Sequence, residues 1–363
     1  MGKDKKDNLL SRIINNKYHV LIIFILNIFC LYKVFDYQNE LHEYRKQIDN
    51  NELIHIKEDT NTQYYYEDNN IENNQQKGIA ISNYITCLNS QVDTNNLPDD
   101  IKNNIDELNN YFNSKSMYYS FLYKDIYTGF TISYNADDPI FTASTIKAPA
   151  MIYLYEQASL GKIDLKEEIT YTSNYYSDGS GILKTKEFDT KYDIETLVHY
   201  TIYYSDNAAY RMIMDKLDRK DLQKFWQDKG TKYIFTENNI WGNLTANDAN
   251  IFMQELYDFY LKDDTYGEKL MYEFTNCLWK MVTDKEGEYN TANKIGYSGA
   301  NYHDIAIVLD ENPYILVVLS HTGENEVEAE SFFKKTSYLV GTLHDNYWKY
   351  KLEECEKQKP ISN

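Results

Sequence analysis

Phe141-Thr142-Ala143-Ser144-Thr145-Ile146-Lys147-Ala148-Pro149-Ala150 follows a strand-like stretch and leads into a helical run. On a helix, Ser144 and Lys147 are three residues apart and project from one face. A serine hydroxyl is a weak nucleophile until a base takes its proton. A lysine can be that base if its pKa is depressed. The Ser-x-x-Lys spacing alone has little weight. Ser159-Leu160-Gly161-Lys162 and Ser331-Phe332-Phe333-Lys334 share it, and their plain reading is solvated helix surface.

Two more short motifs follow in order. Ser205-Asp206-Asn207 occurs once, and all three residue types cap helices well. Lys294-Ile295-Gly296 comes third. The gaps of 61 and 89 residues suit a helical insertion between a nucleophile helix and a returning strand. Ser-x-x-Lys, Ser-Asp-Asn and Lys-Thr-Gly in this order mark class A β-lactamases and penicillin-binding proteins. The chain resembles that family of penicillin-recognising serine enzymes over about 111–345. Asp178-Gly179-Ser180-Gly181-Ile182-Leu183 looks like the loop preceding the family's second motif. His303-Asp304-Ile305-Ala306-Ile307-Val308 looks like the strand following the third.

The third motif departs from the family pattern. Ile295 stands where a Thr or Ser hydroxyl normally helps hold a substrate carboxylate. His321-Thr322-Gly323 is a rival, but the motif strand needs two more strand-like runs after it, and only Lys294 has them.

The resemblance implies an acyl-enzyme mechanism. Ser144 attacks an amide, ester or β-lactam carbonyl, with Lys147 as base or relay. Ser205 passes a proton to the leaving nitrogen, and Asn207 binds the substrate's amide side chain. Backbone N–H groups of Ser144 and Tyr297 hold the oxyanion. Lys294 disfavours a second charge on Lys147 and supplies positive charge for a substrate carboxylate. A class A β-lactamase also needs a Glu on the loop after the second motif, followed four residues later by Asn. Here that loop offers Glu237 with Trp241 at the later position, so slow deacylation is expected. A D-alanyl-peptide hydrolase or esterase is the alternative within the same chemistry. A non-catalytic surface binding module that retains the fold is the alternative outside it.

Residues 18–35, Tyr18 to Phe35, are apolar enough for a membrane anchor. As a helix they span roughly 27 Å, close to a hydrocarbon core of about 30 Å. Lys3, Lys5, Lys6, Arg12 and Lys17 precede the segment, which places the N-terminus in the cytoplasm by the positive-inside rule. No small-x-small cleavage site follows. The expectation is a single-pass cell-membrane protein: cytoplasmic tail 1–17, transmembrane anchor 18–35, extracytoplasmic stalk 36–97, hydrolase domain 98–348 and polar tail 349–363. The stalk is rich in Asn, Gln, Asp, Glu and Tyr and lacks periodic apolar positions beyond a short amphipathic start.

A formal net charge of −19 argues against a nucleic-acid partner, because phosphate binding needs clustered Lys and Arg. No Cys/His spacing suggests a metal, and no cofactor is expected. Cys30, Cys87, Cys277 and Cys355 read as incidental or buried thiols rather than a disulfide framework. A monomer acting on a small-molecule or peptidoglycan-type substrate is the expectation for partners.

Periodicity predicts a helix over 98–112, strands over 117–124 and 130–134, and the nucleophile helix over 144–160. Helices follow over 193–204, 207–217, 245–261 and 267–283, then strands over 294–298, 302–309 and 314–321. A closing helix spans 326–344. The implied fold class is α/β (α+β): a β-lactamase/transpeptidase-like sandwich of one antiparallel sheet with flanking helices, plus an all-α lobe.

Overall fold

The computed structural model describes the backbone of Ile54–Ile56 and Tyr64–Tyr66, and residues 97–357 except 234, 235, 237, 264 and 323–325. The chain divides into two units, Met1–Ile79 and Ala80–Asn363. In the first, strand β1 (Ile54–Ile56) pairs antiparallel with β2 (Tyr64–Tyr66). The segment 18–35 lies outside the described residues. Among the described residues, no helix is long and apolar enough to cross a membrane.

The second unit is built on a five-stranded antiparallel sheet. Its strands are β3 (Tyr118–Asp125), β4 (Thr131–Tyr134), β9 (Thr291–Ser298), β10 (Asn301–Val308) and β11 (Tyr314–His321). They lie in the order β4-β3-β11-β10-β9, so β9 is an edge strand. Both faces of the sheet are covered, which explains why the inner strands read as nearly continuous apolar runs. The period-two alternation of β11 sorts them. Tyr314, Leu316 and Val318 pack under two terminal helices, α1 (Asp99–Asn113) and α8 (Glu326–Lys357). Ile315, Val317 and Leu319 pack into the opposite core, shared with a helical lobe.

That lobe holds α2 (Lys147–Ser159), α3 (Ile194–Tyr203), α4 (Asn207–Lys216), α5 (Arg219–Asp228), α6 (Ala246–Lys262) and α7 (Tyr266–Thr275). Helix α2 is buried nearly all round from Lys147 to Tyr155, as a helix with apolar residues on every side must be. Trp226 of α5 is fully buried and donates its indole N–H to the Pro149 carbonyl at 3.1 Å, tying α5 to the first turn of α2. Two short pairs complete the lobe: β5 (Ile140–Phe141) with β8 (Asn243–Leu244), and β6 (Glu168–Thr170) with β7 (Lys191–Asp193).

The antiparallel sheet, flanking helices and helical lobe agree with the expected architecture. Three local readings differ. The nucleophile helix opens with a 3₁₀ turn, Ala143–Ile146, before α2 begins. Helix α7 ends at Thr275 instead of running to 283, and 276–290 forms an extended and turning connection. Helix α8 continues past 344 to Lys357, because His344, Tyr347, Trp348 and Lys351 keep finding buried ground. Trp348 donates its indole N–H to Asp125 at 2.7 Å, which anchors that extension. The cysteines need one correction: Cys277 is a free buried thiol, but Cys355 is disulfide-bonded.

Between α2 and α6, Glu156 is half-buried beside Glu255, and Glu255 pairs with Lys229 at 2.7 Å. Burial first, and then Glu255, raise Glu156 from 4.5 to about 8, against weaker pulls from Lys229 and Lys262. The folded state therefore holds a proton there that the unfolded chain releases above pH 4.5. This contribution is fully present below pH 4.5 and is lost as pH rises through about 8. Chemical denaturation at pH 6 and pH 9 should show wild type losing stability by up to about 1.4 kcal/mol per pH unit in that window. Glu156→Gln, neutral at every pH, should show a smaller loss. An equal loss in both proteins would place the titration elsewhere.

Candidate active site

The site forms where the 3₁₀ turn before α2, the start of α4 and edge strand β9 converge. Ser144 sits in the turn, half-buried, and Lys147 follows at the first position of α2, fully buried. The turn is held from three directions. Thr142 donates its backbone N–H to the Gly242 carbonyl at 3.0 Å. Thr145 donates its hydroxyl to the Thr142 carbonyl at 2.6 Å. His303 of β10 accepts the Ser320 backbone N–H on Nδ1 at 3.1 Å, so its proton is on Nε2 and is donated to the Phe141 carbonyl at 2.8 Å. Burial pushes His303 down to about 4, so it stays neutral in this role.

Strand β9 reaches the turn because Gly296 has no side chain. A Cβ there would lie 2.8 Å from the Thr142 carbonyl oxygen and 3.1 Å from a Thr145 methyl. This close approach brings Lys294 to the site. The lysine is 1% exposed, and its Nζ donates to Ser205 Oγ at 3.0 Å and to the Ile295 carbonyl at 3.1 Å.

Ser205 ends the loop before α4 with φ at +51°, a left-handed conformation that costs a non-glycine residue on the order of 1–2 kcal/mol. In this geometry both its carbonyl and its hydroxyl meet Lys147. Asp206 stabilises the conformation as the N-cap of α4. One oxygen accepts the N–H groups of Ala208 and Ala209 at 2.8 and 3.0 Å. The other accepts those of Ile182 and Leu183 at 2.6 and 2.8 Å. The loop wraps Asp206 so tightly that a Cβ on Gly181 would lie 2.2 Å from the carboxyl carbon.

Lys147 Nζ has four close oxygens: the Ser205 carbonyl at 2.6 Å, Asn207 Oδ1 at 2.7 Å, Ser144 Oγ at 3.0 Å and Ser205 Oγ at 3.2 Å. The first two can only accept. They take two N–H bonds, so a neutral amine would turn its lone pair toward the two hydroxyls. Burial, then the nearby charge of Lys294, hold Lys147 well below the usual lysine range, with Asp206 opposing. Burial also lowers Lys294 to about 8, against the opposing fields of Cys277 and Asp304. A chain of hydrogen-bonding groups therefore runs Ser144–Lys147–Ser205–Lys294. Such a chain can take a proton from one hydroxyl and deliver it at another.

Behind Lys294 lies a layer absent from the sequence reading. Asn293 donates to both carboxylate oxygens of Asp304, at 2.8 and 3.0 Å, and accepts the Cys277 thiol at 2.9 Å. Asp304 also accepts the N–H groups of Met281 and Val282 at 2.8 and 2.9 Å. The available signal was His303-Asp304, a polar pair inside an apolar strand. Asn293 and Cys277 carried none.

A cleft of about 750 Å³ opens over Ser144, and Asn207 and Tyr297 line it. Five of the six residues singled out in the sequence are thus hydrogen-bonded together, and Tyr297 stands at the same cleft. Glu237 lies outside the described residues. Trp241 stacks obliquely on Tyr210 with ring centres 5.2 Å apart, and its ring centre is 5.5 Å from Lys147 Nζ. The two rival Ser-x-x-Lys segments are surface: Lys162 donates to Gln157 and Lys334 pairs with Glu330.

A family model described as "Beta-lactamase enzyme family" matches residues 102–342. Beta-lactamase 3 of Bacillus cereus is 28% identical over 233 residues, covering 56% of this chain and 69% of that protein. The beta-lactamase of Bacillus licheniformis is 26% identical over 276 residues, covering 67% and 84%. Among solved structures, PBP-A in a point-mutant acyl-enzyme complex with penicillin G has a TM-score of 0.61 at 18% identity. That match covers 67% of this chain and 97% of that one, and at such identity it is a likeness of fold.

The contact between Gly296 and the turn yields a direct test. Gly296→Ala should force β9 off the Thr142 carbonyl and destabilise the domain by about 1–3 kcal/mol, the range for overpacking a filled site. Chemical denaturation measures it, and an unchanged midpoint would show that the strand does not need this approach.

Proposed function

The chain belongs to the β-lactamase enzyme family of serine hydrolases, and on that premise we propose that it is a class A-type acyl-hydrolase acylated at Ser144 by β-lactams or related amides and esters. The observation that carries this reading is Lys147 Nζ, 3.0 Å from Ser144 Oγ, with two N–H bonds already committed to the Ser205 carbonyl and Asn207. Neutral Lys147 takes the hydroxyl proton as Ser144 Oγ bonds to the carbonyl carbon. The backbone N–H groups of Ser144 and Tyr297 stabilise the oxyanion. As the tetrahedral adduct collapses, the carbon–nitrogen bond breaks and Ser205 protonates the leaving nitrogen. Ser205 recovers its proton from Lys147. The charge on Lys294 holds the Ser205 oxygen in place throughout. Asn207 steadies both Lys147 and the substrate amide.

Deacylation is the slow half of the cycle in this reading. The residue four places beyond Glu237 is Trp241, whose ring lies over Lys147 where a water-binding amide would favour hydrolysis. Loss of general-base help to water lowers a rate by roughly 10²–10⁴-fold. Mass spectrometry during penicillin exposure tests both halves. Wild type should carry one persistent adduct and Ser144→Ala none. Lys147→Arg should acylate at least about 10²-fold more slowly, since an arginine cannot supply a neutral base. An adduct surviving in Ser144→Ala would overturn the nucleophile. Sustained turnover abolished by Glu237→Gln would overturn slow deacylation.

Placement outside the cytoplasm belongs to the same proposal, with residues 18–35 as an uncleaved anchor. The apolar run, the preceding lysines and the disulfide at Cys355 support it, because disulfides persist in oxidising compartments. Carbonate extraction should leave the full chain in the membrane pellet and release a chain lacking 1–35. Release of both would refute the anchor.

A further inference from the structure

Resting on the acyl-enzyme reading, we propose that Asp304 is a positioning residue for acylation: paired with Asn293, it is the buried counter-charge that keeps the Lys294 ammonium charged and directed at Ser205. Asp304 lies on β10 opposite Ile295, one residue along from Lys294, and has no exposure to water. One of its oxygens accepts the N–H groups of Met281 and Val282 at 2.8 and 2.9 Å. The Asn293 amide donates across both oxygens at 2.8 and 3.0 Å. A proton on either oxygen would meet an N–H, so these partners select the carboxylate. Burial raises Asp304, and the N–H groups and Lys280 pull it back down. The Asn293 amide is fixed in turn, because its Oδ1 takes the Cys277 thiol at 2.9 Å. Turned over, it would set a carbonyl oxygen against the carboxylate.

Lys294 needs such a partner. Its Nζ donates to two neutral oxygens, Ser205 Oγ and the Ile295 carbonyl. A buried ammonium bonded to neutral groups tends to lose its proton. Among the described residues, the titratable groups set around it are Lys147 on α2, Asp206 at the start of α4, Cys277 and Lys280 in the connection after α7, and His303 and Asp304 on β10. Lys147 and His303 are neutral in the resting site, and Asp206 is spent on four backbone N–H groups. Burial lowers Lys294 to about 8, and the fields of Cys277 and Asp304 oppose it. Burial also pushes the Cys277 thiol up to about 11, so Asp304 supplies the full negative charge. Without it, a neutral Lys294 would weaken its hold on the Ser205 oxygen as that oxygen passes its proton to the leaving nitrogen.

The rate of acylation by a fluorescent penicillin, followed from about pH 5 to about pH 10, tests this role against the ordinary lysine range. The wild-type rate should fall on the alkaline side as Lys294 loses its proton. Lys294→Arg, which stays charged, should abolish that fall. Asp304→Asn should move the alkaline limb down by at least about half a pH unit, about threefold in rate beyond the limb, because an opposite charge favours the charged form. Exchanging the pair, Asn293→Asp with Asp304→Asn, retains one carboxylate beside an amide and sets it next to Lys294 on the same strand. That double variant should return the limb to the wild-type position or above. Thermal melts show which variants are folded. If Asp304→Asn is not, the exchanged pair decides alone, and a limb lower than wild type by about half a unit or more overturns the counter-charge. An unmoved limb in folded Asp304→Asn, or one that persists in Lys294→Arg, overturns it too and leaves the acyl-enzyme reading standing. A merely structural loss would slow the reaction equally at every pH. If wild type forms no adduct at Ser144, both readings fall.

Discussion

Lys147 has no exposure to water, and its nitrogen meets oxygens from Ser144, Ser205 and Asn207. Burying an ammonium is costly unless its hydrogen bonds are replaced, and the least costly response is to lose the proton. The surroundings do both: they supply acceptors for two N–H bonds and disfavour the charge through a second buried lysine. Most of the site's other features serve to hold that nitrogen and its neighbours in register. They include the left-handed Ser205, the fourfold-bonded Asp206 and the glycine that lets β9 approach.

The site concentrates two buried lysines against two buried carboxylates, and none of the four is left without partners. Asp206 is satisfied by four backbone N–H groups, and Asp304 by two backbone N–H groups and Asn293. Removing one member of such a set leaves the others unpaired in a low-dielectric interior, which is more damaging than losing a surface pair. The four groups are divided between sheet and lobe, since Asp304 and Lys294 lie on adjacent strands and Asp206 and Lys147 lie in the helical lobe. Stability and reactivity therefore rest on the same hydrogen bonds.

The cleft itself follows a different logic. Of its polar lining, Ser144 and Asn207 are bonded to Lys147, and the aromatic faces of Phe141, Trp279 and Tyr297 meet the solvent.

Much of this was legible in the chain. Ser144 and Lys147 share a helical face at any tertiary arrangement, and the order of three motifs implied that distant segments meet. The continuous apolar runs of 314–319 and 148–155 suit a sheet covered on both faces and a central buried helix, because a segment apolar on every side must be hidden on every side. Boundaries were less legible: α7 stops at Thr275 and α8 runs to Lys357 for reasons of packing, to which local pattern is blind. Only the tertiary structure decided which acceptors surround Lys147, that Gly296 touches Thr142, and that His303 is neutral with its proton on Nε2. It also brought Trp241 from a distant loop to Lys147 and set Trp279 at the same cleft. Periodicity reports the side of an element that is buried, whereas hydrogen-bond partners, desolvation and the walls of a cleft depend on which elements meet.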